Sequence, residues 1–118
     1  PIFAGPAYKS KVDGLGLHKE ALKMEQAALK SQLETKLEQL IRQYAFSESQ
    51  LRYYEETALK NAALLVKNAT LAYKNGEADY VEYMQALQTS IDIRKGYLAN
   101  LYQFNQTVIE IQYLTETN

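Results

Sequence analysis

Residues 72–82, AYKNGEADYVE, mark the point where the chain is predicted to reverse direction. Gly76 can adopt the left-handed conformation that closes the C-terminus of a helix. Asp79 and Glu82 have the spacing of a capping box, in which each side chain accepts a hydrogen bond from the other residue's backbone. The stretch therefore predicts a turn at residues 75–78 between two helices.

Long helices are predicted on both sides of this turn. No Gly or Pro occurs from Leu17 to Asn75, and Ala, Leu, Glu, Gln and Lys, which favour helix, predominate there. We expect the first helix to begin between Tyr8 and Leu17 and to end at Asn75, and the second to span residues 79–115. Because the connection is short, the helices should pack antiparallel. The predicted fold class is all-α, a long helical hairpin with coiled-coil packing.

A seven-residue repeat of apolar side chains predicts the seam between the two helices. On the first helix the repeat comprises Leu37, Tyr44, Leu51, Ala58, Leu65 and Ala72. On the second helix the predicted seam residues are Met84, Leu87, Ile91, Leu98 and Leu101, with Tyr80 and Val108 at the same spacing. Other large apolar residues fall off this seam, namely Leu22, Leu29, Leu33, Tyr53, Tyr97, Phe104 and Ile111. We expect the isolated chain to bury them by self-association, with hairpins paired into a four-helix arrangement.

Composition excludes several classes of function. The chain has 118 residues, 13 Lys and Arg against 14 Asp and Glu, and a net charge of −1, which gives no electrostatic basis for binding nucleic acid. It has no cysteine, so disulfides, Cys-based zinc sites and cysteine nucleophiles are excluded. Its single histidine, His18, and its distant methionines, Met24 and Met84, form no recognisable metal site. We predict no enzyme activity, no cofactor and no intrinsic metal site.

Three stretches resemble the TolC-like outer-membrane efflux proteins. Residues 1–5, PIFAG, followed by a long amphipathic helix, resemble the point where a barrel strand of that family gives way to a periplasmic helix. Residues 72–86 resemble its helix-turn-helix at the periplasmic tip. Residues 105–115, NQTVIEIQYLT, are similar to TolC-like components of heavy-metal efflux systems. The resemblance covers nearly the whole chain, as the second of the family's two repeats.

The resemblance implies a role in the cell envelope. Residues 1–7 would be the end of a barrel strand or its linker, and residues 8–118 a periplasmic hairpin, so that 1–118 is a fragment of one TolC-like domain. In that family three protomers form a tunnel below the outer membrane. The tunnel tip meets a periplasmic adaptor that links it to a proton-driven inner-membrane pump, and in some bacteria such a region is fused behind a CzcA/CusA-type pump. The implied function is a passive export conduit for heavy-metal cations.

The same resemblance places a partner-docking tip at the turn. Tyr73 and Gly76 match the family's tip aromatic and tip glycine. Many relatives have small residues and an Arg after this glycine, whereas here Glu77, Ala78 and Asp79 follow it, so the family's Arg-based closing contacts are not expected. The predicted tip comprises Tyr73, Asn75, Gly76, Glu77 and Asp79.

Two other functions fit a long hairpin. One is a cytoplasmic coiled-coil scaffold with no transport role, and the other is the periplasmic adaptor itself. A scaffold has no use for residues 1–5, which a barrel-strand end explains. An adaptor requires flanking lipoyl-like β segments, and this sequence contains none.

Overall fold

The protein is a helical hairpin. The structure, a computed structural model, describes residues 4–116, with side chains from residue 7. Helix α1 spans Ala4–Tyr53, a π-helical turn spans Tyr54–Ala58, α2 spans Leu59–Lys74 and α3 spans Tyr80–Glu116. Residues 4–116 contain no strand, and α3 packs against α2. The predicted fold class and the single break before Tyr80 are confirmed.

The chain divides into two compact units, residues 1–38 and 39–118. In the first unit, residues 7–36 are exposed along their whole length. The second unit contains the antiparallel packing. Within it we call residues 39–74 the first arm, and α3 is the second arm.

Helix α1 begins earlier than the sequence suggested, at Ala4. Pro6 is tolerated there because the first four N–H groups of a helix have no intrahelical partner. Residues 4–7, predicted to belong to a barrel-strand end or its linker, are helical. A lone strand has no neighbour to accept its backbone hydrogen bonds, and no strand is described in this chain. The rest of that prediction, Pro1–Phe3, lies outside the described residues.

The C-terminus of α2 is closed by a Schellman motif. Gly76 has a φ of +76°. The Glu77 amide donates to the Ala72 carbonyl at 2.8 Å, and the Gly76 amide donates to the Tyr73 carbonyl at 3.2 Å. These two bonds satisfy carbonyls that the helix end leaves open. A residue with a Cβ is strained at this φ, which explains the glycine.

The N-terminus of α3 is closed by the capping box that the sequence predicts. The Glu82 amide donates to Asp79 Oδ1 at 2.8 Å, and the Asp79 amide donates to Glu82 Oε2 at 3.0 Å. Both orphan donors are thus satisfied locally. The two helix ends meet with no long connection between them.

The first arm turns one buried stripe toward α3. Five residues of the predicted column lie on this arm and are buried or half-buried, namely Tyr44, Leu51, Ala58, Leu65 and Ala72. The sixth, Leu37, belongs to the first unit and is half-buried. A second column of buried residues has a different spacing at the π turn. Its next member after Tyr54 is Ala62, eight residues later, and Ala62 is 0% exposed. A strict repeat would place Asn61 and Asn68 in this column, yet both are exposed. The wider π turn accommodates the additional residue and keeps the seam facing α3.

The seam of α3 is displaced by one residue from the prediction. Met84, Ile91 and Leu98 were expected in the seam but are 42%, 46% and 61% exposed. Leu87 and Leu101 are half-buried at its rim. The buried and half-buried columns are Tyr83, Ser90, Tyr97, Phe104, Ile111 and Ala86, Ile93, Asn100, Thr107, Leu114. Tyr97, Phe104 and Ile111, expected off the seam, are therefore within it.

The physical reason for this displacement is the fit of rings against small residues. The ring of Tyr54 lies over Gly96, and the rings of Tyr44 and Phe104 pack at 5.2 Å between centroids. Ser47 is 3% exposed, and its carbonyl accepts a hydrogen bond from Asn100 Nδ2 at 3.1 Å. This seam therefore fills with aromatic and small side chains rather than with a leucine column, because close packing requires large groups to face small ones.

Candidate interaction surfaces

Three tyrosines hold the tip of the hairpin. The ring of Tyr73, at the end of α2, stacks on Tyr83 of α3 with centroids 4.9 Å apart and planes at 7°. Tyr80 meets the same ring edge-on at 6.4 Å. Tyr73 is still 42% exposed and Tyr80 is 61% exposed. The cluster fastens the turn and leaves part of its aromatic surface exposed.

The structure brings the five predicted tip residues together at this end. Asn75, Gly76, Glu77 and Asp79 are exposed within the turn. Asp79 is occupied as the cap of α3, so its carboxylate serves the fold. Glu77 has no side-chain hydrogen bond or ion pair within residues 4–116. Sequence reasoning missed Tyr80 and Tyr83, although tyrosines three residues apart directly after a capping residue are a readable signal.

A row of exposed apolar residues follows the length of α3. It comprises Met84, Ile91, Leu98, Tyr102 and Ile109, which are 42–65% exposed. The first three each directly follow a seam residue. We call this row the α3 edge. Soluble monomers rarely expose so long an apolar row, which makes it a candidate interaction surface.

A second exposed row follows the first arm. It comprises Phe46, Tyr53, Leu64 and Leu71, which are 50–66% exposed. Each directly precedes a seam residue, as Phe46 precedes Ser47 and Leu64 precedes Leu65. We call this row the first-arm edge.

The two edges point in opposite directions. One residue step turns a helix by about 100°. Two antiparallel helices define a plane that contains both helix axes. A residue that comes directly after a seam residue lies on the same side of this plane in either helix. The first three residues of the α3 edge each come directly after a seam residue of α3, whereas those of the first-arm edge come directly before a seam residue of the first arm. The rows therefore lie on opposite sides of that plane, and each faces away from the other arm.

The flank of α3 opposite to its apolar edge is polar. It carries the exposed residues Glu82, Thr89, Gln103 and Glu110; Gly96, at the same seven-residue spacing, is covered by Tyr54. A shallow groove lies on this side, lined by Tyr53, Tyr54, Ala58, Asn61, Thr89, Asp92 and Ile93. Its Asp92 carboxylate accepts a hydrogen bond from Gln88 at 2.9 Å. This flank suits contact with water rather than with another helix.

One seam contact perturbs a titratable group. The Tyr97 hydroxyl donates to Glu55 Oε1 at 3.2 Å. The hydrogen bond to Glu55 raises the pKa of Tyr97 above its ordinary value, and desolvation and the negative charge of Glu55 act in the same direction. Both the bond and the charge favour the protonated phenol.

The first unit carries an apolar row of its own. Tyr8, Leu15, Leu22 and Leu29 recur every seven residues and are 45–71% exposed, and Leu33 is 37% exposed. No other element of that unit covers them, since its described part is a single helix.

Metal-binding groups do not converge in the described part of the chain. Residues 4–116 contain no group of three or more His, Asp or Glu side chains that could hold an ion. His18 and Met24 are exposed in the first unit, and Met84 belongs to the α3 edge.

None of the described helices has the length and apolar character that crossing a membrane requires. Comparison with known proteins finds no matching family model, no similar curated protein and no similar solved structure.

Proposed function

We propose that the chain is part of the periplasmic tunnel wall of an outer-membrane efflux channel of TolC-like type. In this role it is a passive conduit for heavy-metal cations, and its turn docks on a periplasmic adaptor that leads to a proton-driven inner-membrane pump. Three protomers form the tunnel. The residue-level support is the resemblance at residues 1–5, 72–86 and 105–115.

The observation that carries the proposal is the pair of apolar edges on opposite sides of one hairpin. A free-standing hairpin would keep such rows polar. A wall made of helices side by side needs each hairpin to be covered at both edges, while the remaining flank meets water. The α3 edge, the first-arm edge and the polar flank with Glu82 and Glu110 fit that requirement.

Docking at the tip is supported by its exposed aromatic surface and by Glu77. A long hairpin offers a partner only a small end, and here that end holds Tyr73, Tyr80 and an unbonded carboxylate. Tyrosine and other aromatic side chains are enriched in interface cores.

The test uses the full-length protein in bacterial cells challenged with heavy-metal salts. Gly76→Arg should abolish resistance, because a long cationic side chain then occupies the docking end, while outer-membrane trimers persist. Gly76→Asn is the matched control, since Asn tolerates the left-handed conformation better than other residues. Normal resistance with Gly76→Arg would contradict docking at the turn.

The cellular compartment of the chain distinguishes the proposed function from that of a cytoplasmic scaffold. Because the chain has no cysteine, Glu77→Cys introduces a unique thiol into it at an exposed position. A thiol reagent that passes the outer membrane but not the inner one should label it in intact cells. Labelling only after lysis would favour the scaffold and contradict the tunnel.

A further inference from the structure

We propose that Asn75 is a site of spontaneous covalent modification, at which the side-chain amide becomes a carboxylate through a cyclic imide formed with Gly76. The sequence contains a single Asn-Gly pair, at residues 75 and 76. Asparagine is a thermolabile residue. It loses ammonia fastest before glycine, because no Cβ then obstructs attack by the next backbone nitrogen. The inference goes beyond the proposed function and depends only on the turn between α2 and α3.

The turn leaves the reacting groups open to water. Asn75 and Gly76 are both exposed. Beyond the adjoining residues, no heavy atom lies within 4 Å of the point that a Cβ on Gly76 would occupy, so there is room for an imide ring. The Asn75 side chain makes no hydrogen bond within residues 4–116, so no contact in that part of the chain holds its amide away from the backbone.

The modification exchanges one amide bond for another and uses water as its co-reactant. The Gly76 backbone nitrogen loses its proton to hydroxide and attacks Cγ of Asn75. The new C–N bond forms while the bond from Cγ to the side-chain nitrogen breaks, which releases ammonia. Water then opens the imide at one of its two carbonyl groups. Opening at Cγ gives aspartate, and opening at the main-chain carbonyl gives isoaspartate, in which the backbone runs through the former side chain.

The Schellman closure controls how often this attack can occur. Asn75 has a ψ of 0°, so the Gly76 nitrogen lies on the side of the Asn75 nitrogen and away from its side chain. Attack requires rotation of this peptide, which breaks the 3.2 Å hydrogen bond from the Gly76 amide to the Tyr73 carbonyl. That bond is at the long limit for N–H···O, and exposed turns open at little cost in free energy. Asn68, exposed within α2 and followed by Ala69, must instead open a helix, so it is an internal reference.

The product alters the closed end of α2 in two ways. It adds a carboxylate next to Glu77, at the negative end of the helix dipole, where only Lys74 of the last turn offsets the charge. In isoaspartate the backbone also gains a methylene group, so the Gly76 and Glu77 amides no longer reach the carbonyls that they bond in the native turn. The modified hairpin is therefore less stable than the native one.

The experiment follows the purified chain during prolonged incubation in mildly alkaline buffer. Peptide mapping by mass spectrometry measures the replacement of NH by O at each asparagine, and isoaspartate methyltransferase reports the isoaspartate. Asn75 should convert about ten-fold faster than Asn68, or more, because the turn opens more readily than the helix. The matched variant is Asn75→Gln, which keeps an amide but must close a larger ring. It should abolish conversion in the peptide that contains position 75, with an unchanged far-UV circular dichroism spectrum.

Urea separates the reactivity of the sequence from the control by the fold. Conversion of Asn75 should accelerate when urea unfolds the hairpin, and conversion of Asn68 should accelerate by a larger factor because its amide is released from a helix. Converted chains, separated by anion exchange from the unconverted ones, should have a lower midpoint of thermal unfolding.

Three results would overturn the inference. Equal rates at Asn75 and Asn68 in the folded chain would show that the turn is not the reactive point. A rate at Asn75 that urea leaves unchanged would show that the Schellman closure does not control the attack. Converted chains as stable as the native chain would show that the product keeps the closure. All three concern the purified chain, so they are independent of the efflux test of the proposed function.

Discussion

The ring of Tyr54 covers Gly96, and a methyl group at Gly96 would lie 2.5 Å from the Tyr54 hydroxyl oxygen and 3.3 Å from its Cζ. This contact joins the π turn to the middle of α3. On the same helix Ile91 and Leu98 are turned outward, 46% and 61% exposed. The close approach explains why a glycine, which weakens a helix interior, lies within α3.

Gly96→Ala should therefore destabilise the hairpin by about 1 kcal/mol, because overpacking against Tyr54 exceeds the gain in helix propensity. Tyr54→Phe removes the hydroxyl oxygen, which is the atom that would lie closest to the added methyl group. We expect the double variant to be more stable than Gly96→Ala alone in urea unfolding followed by circular dichroism at one protein concentration. Additive effects of the two substitutions would show that the residues do not interact.

The π turn predicts an asymmetric tolerance to deletion. Deleting Thr57, which is exposed within the turn, should convert Tyr54–Ala58 to α-helix and restore a strict seven-residue repeat from Tyr54 to Ala62. Deleting Lys67, which is exposed within α2, should instead shift every following residue out of the seam. Thermal unfolding should show a much larger loss for the second deletion. Equal losses would mean that the π turn does not absorb the additional residue.

Tyr97 should ionise at a higher pH than an ordinary tyrosine side chain, because its pKa is raised. Its raised pKa arises from the hydrogen bond to Glu55, with desolvation and the Glu55 charge contributing. The folded state then holds this proton more tightly than the unfolded state does. The associated stability is complete below the unfolded pKa near 10 and is lost as pH rises through the folded pKa. Glu55→Gln should lower the Tyr97 pKa in an NMR titration, and an unchanged value would remove the proposed cause.

The sequence was sufficient where local signals decide the structure. The Gly76 closure, the pairing of Asp79 with Glu82 and the breaker-free first helix depend on residues close in the chain, and the structure has all three. The predicted tip residues lie together for the same reason.

Local signals could not predict which face of α3 packs against the first arm. Met84, Ile91 and Leu98 are the more hydrophobic column, but Tyr83, Ser90 and Tyr97 fit the rings and small residues of the first arm better. Hydrophobicity ranks which residues favour burial, whereas the choice between adjacent columns depends on the shape of the partner surface. The sequence did not predict the π turn, because this turn compensates a mismatch in packing between two segments that are distant in the sequence.

Engineered thiols can show directly whether the α3 edge is covered in the assembled protein. Ile91→Cys and, as the control, Gln103→Cys each introduce a thiol into a chain that has none. In cell envelopes containing the full-length protein, we expect the thiol at position 91 to react with maleimide far more slowly than the thiol at 103. In a monomeric sample of the isolated chain, the two should react at similar rates. Equal rates in the assembled protein would contradict the claim that this hairpin is an element of a helical wall.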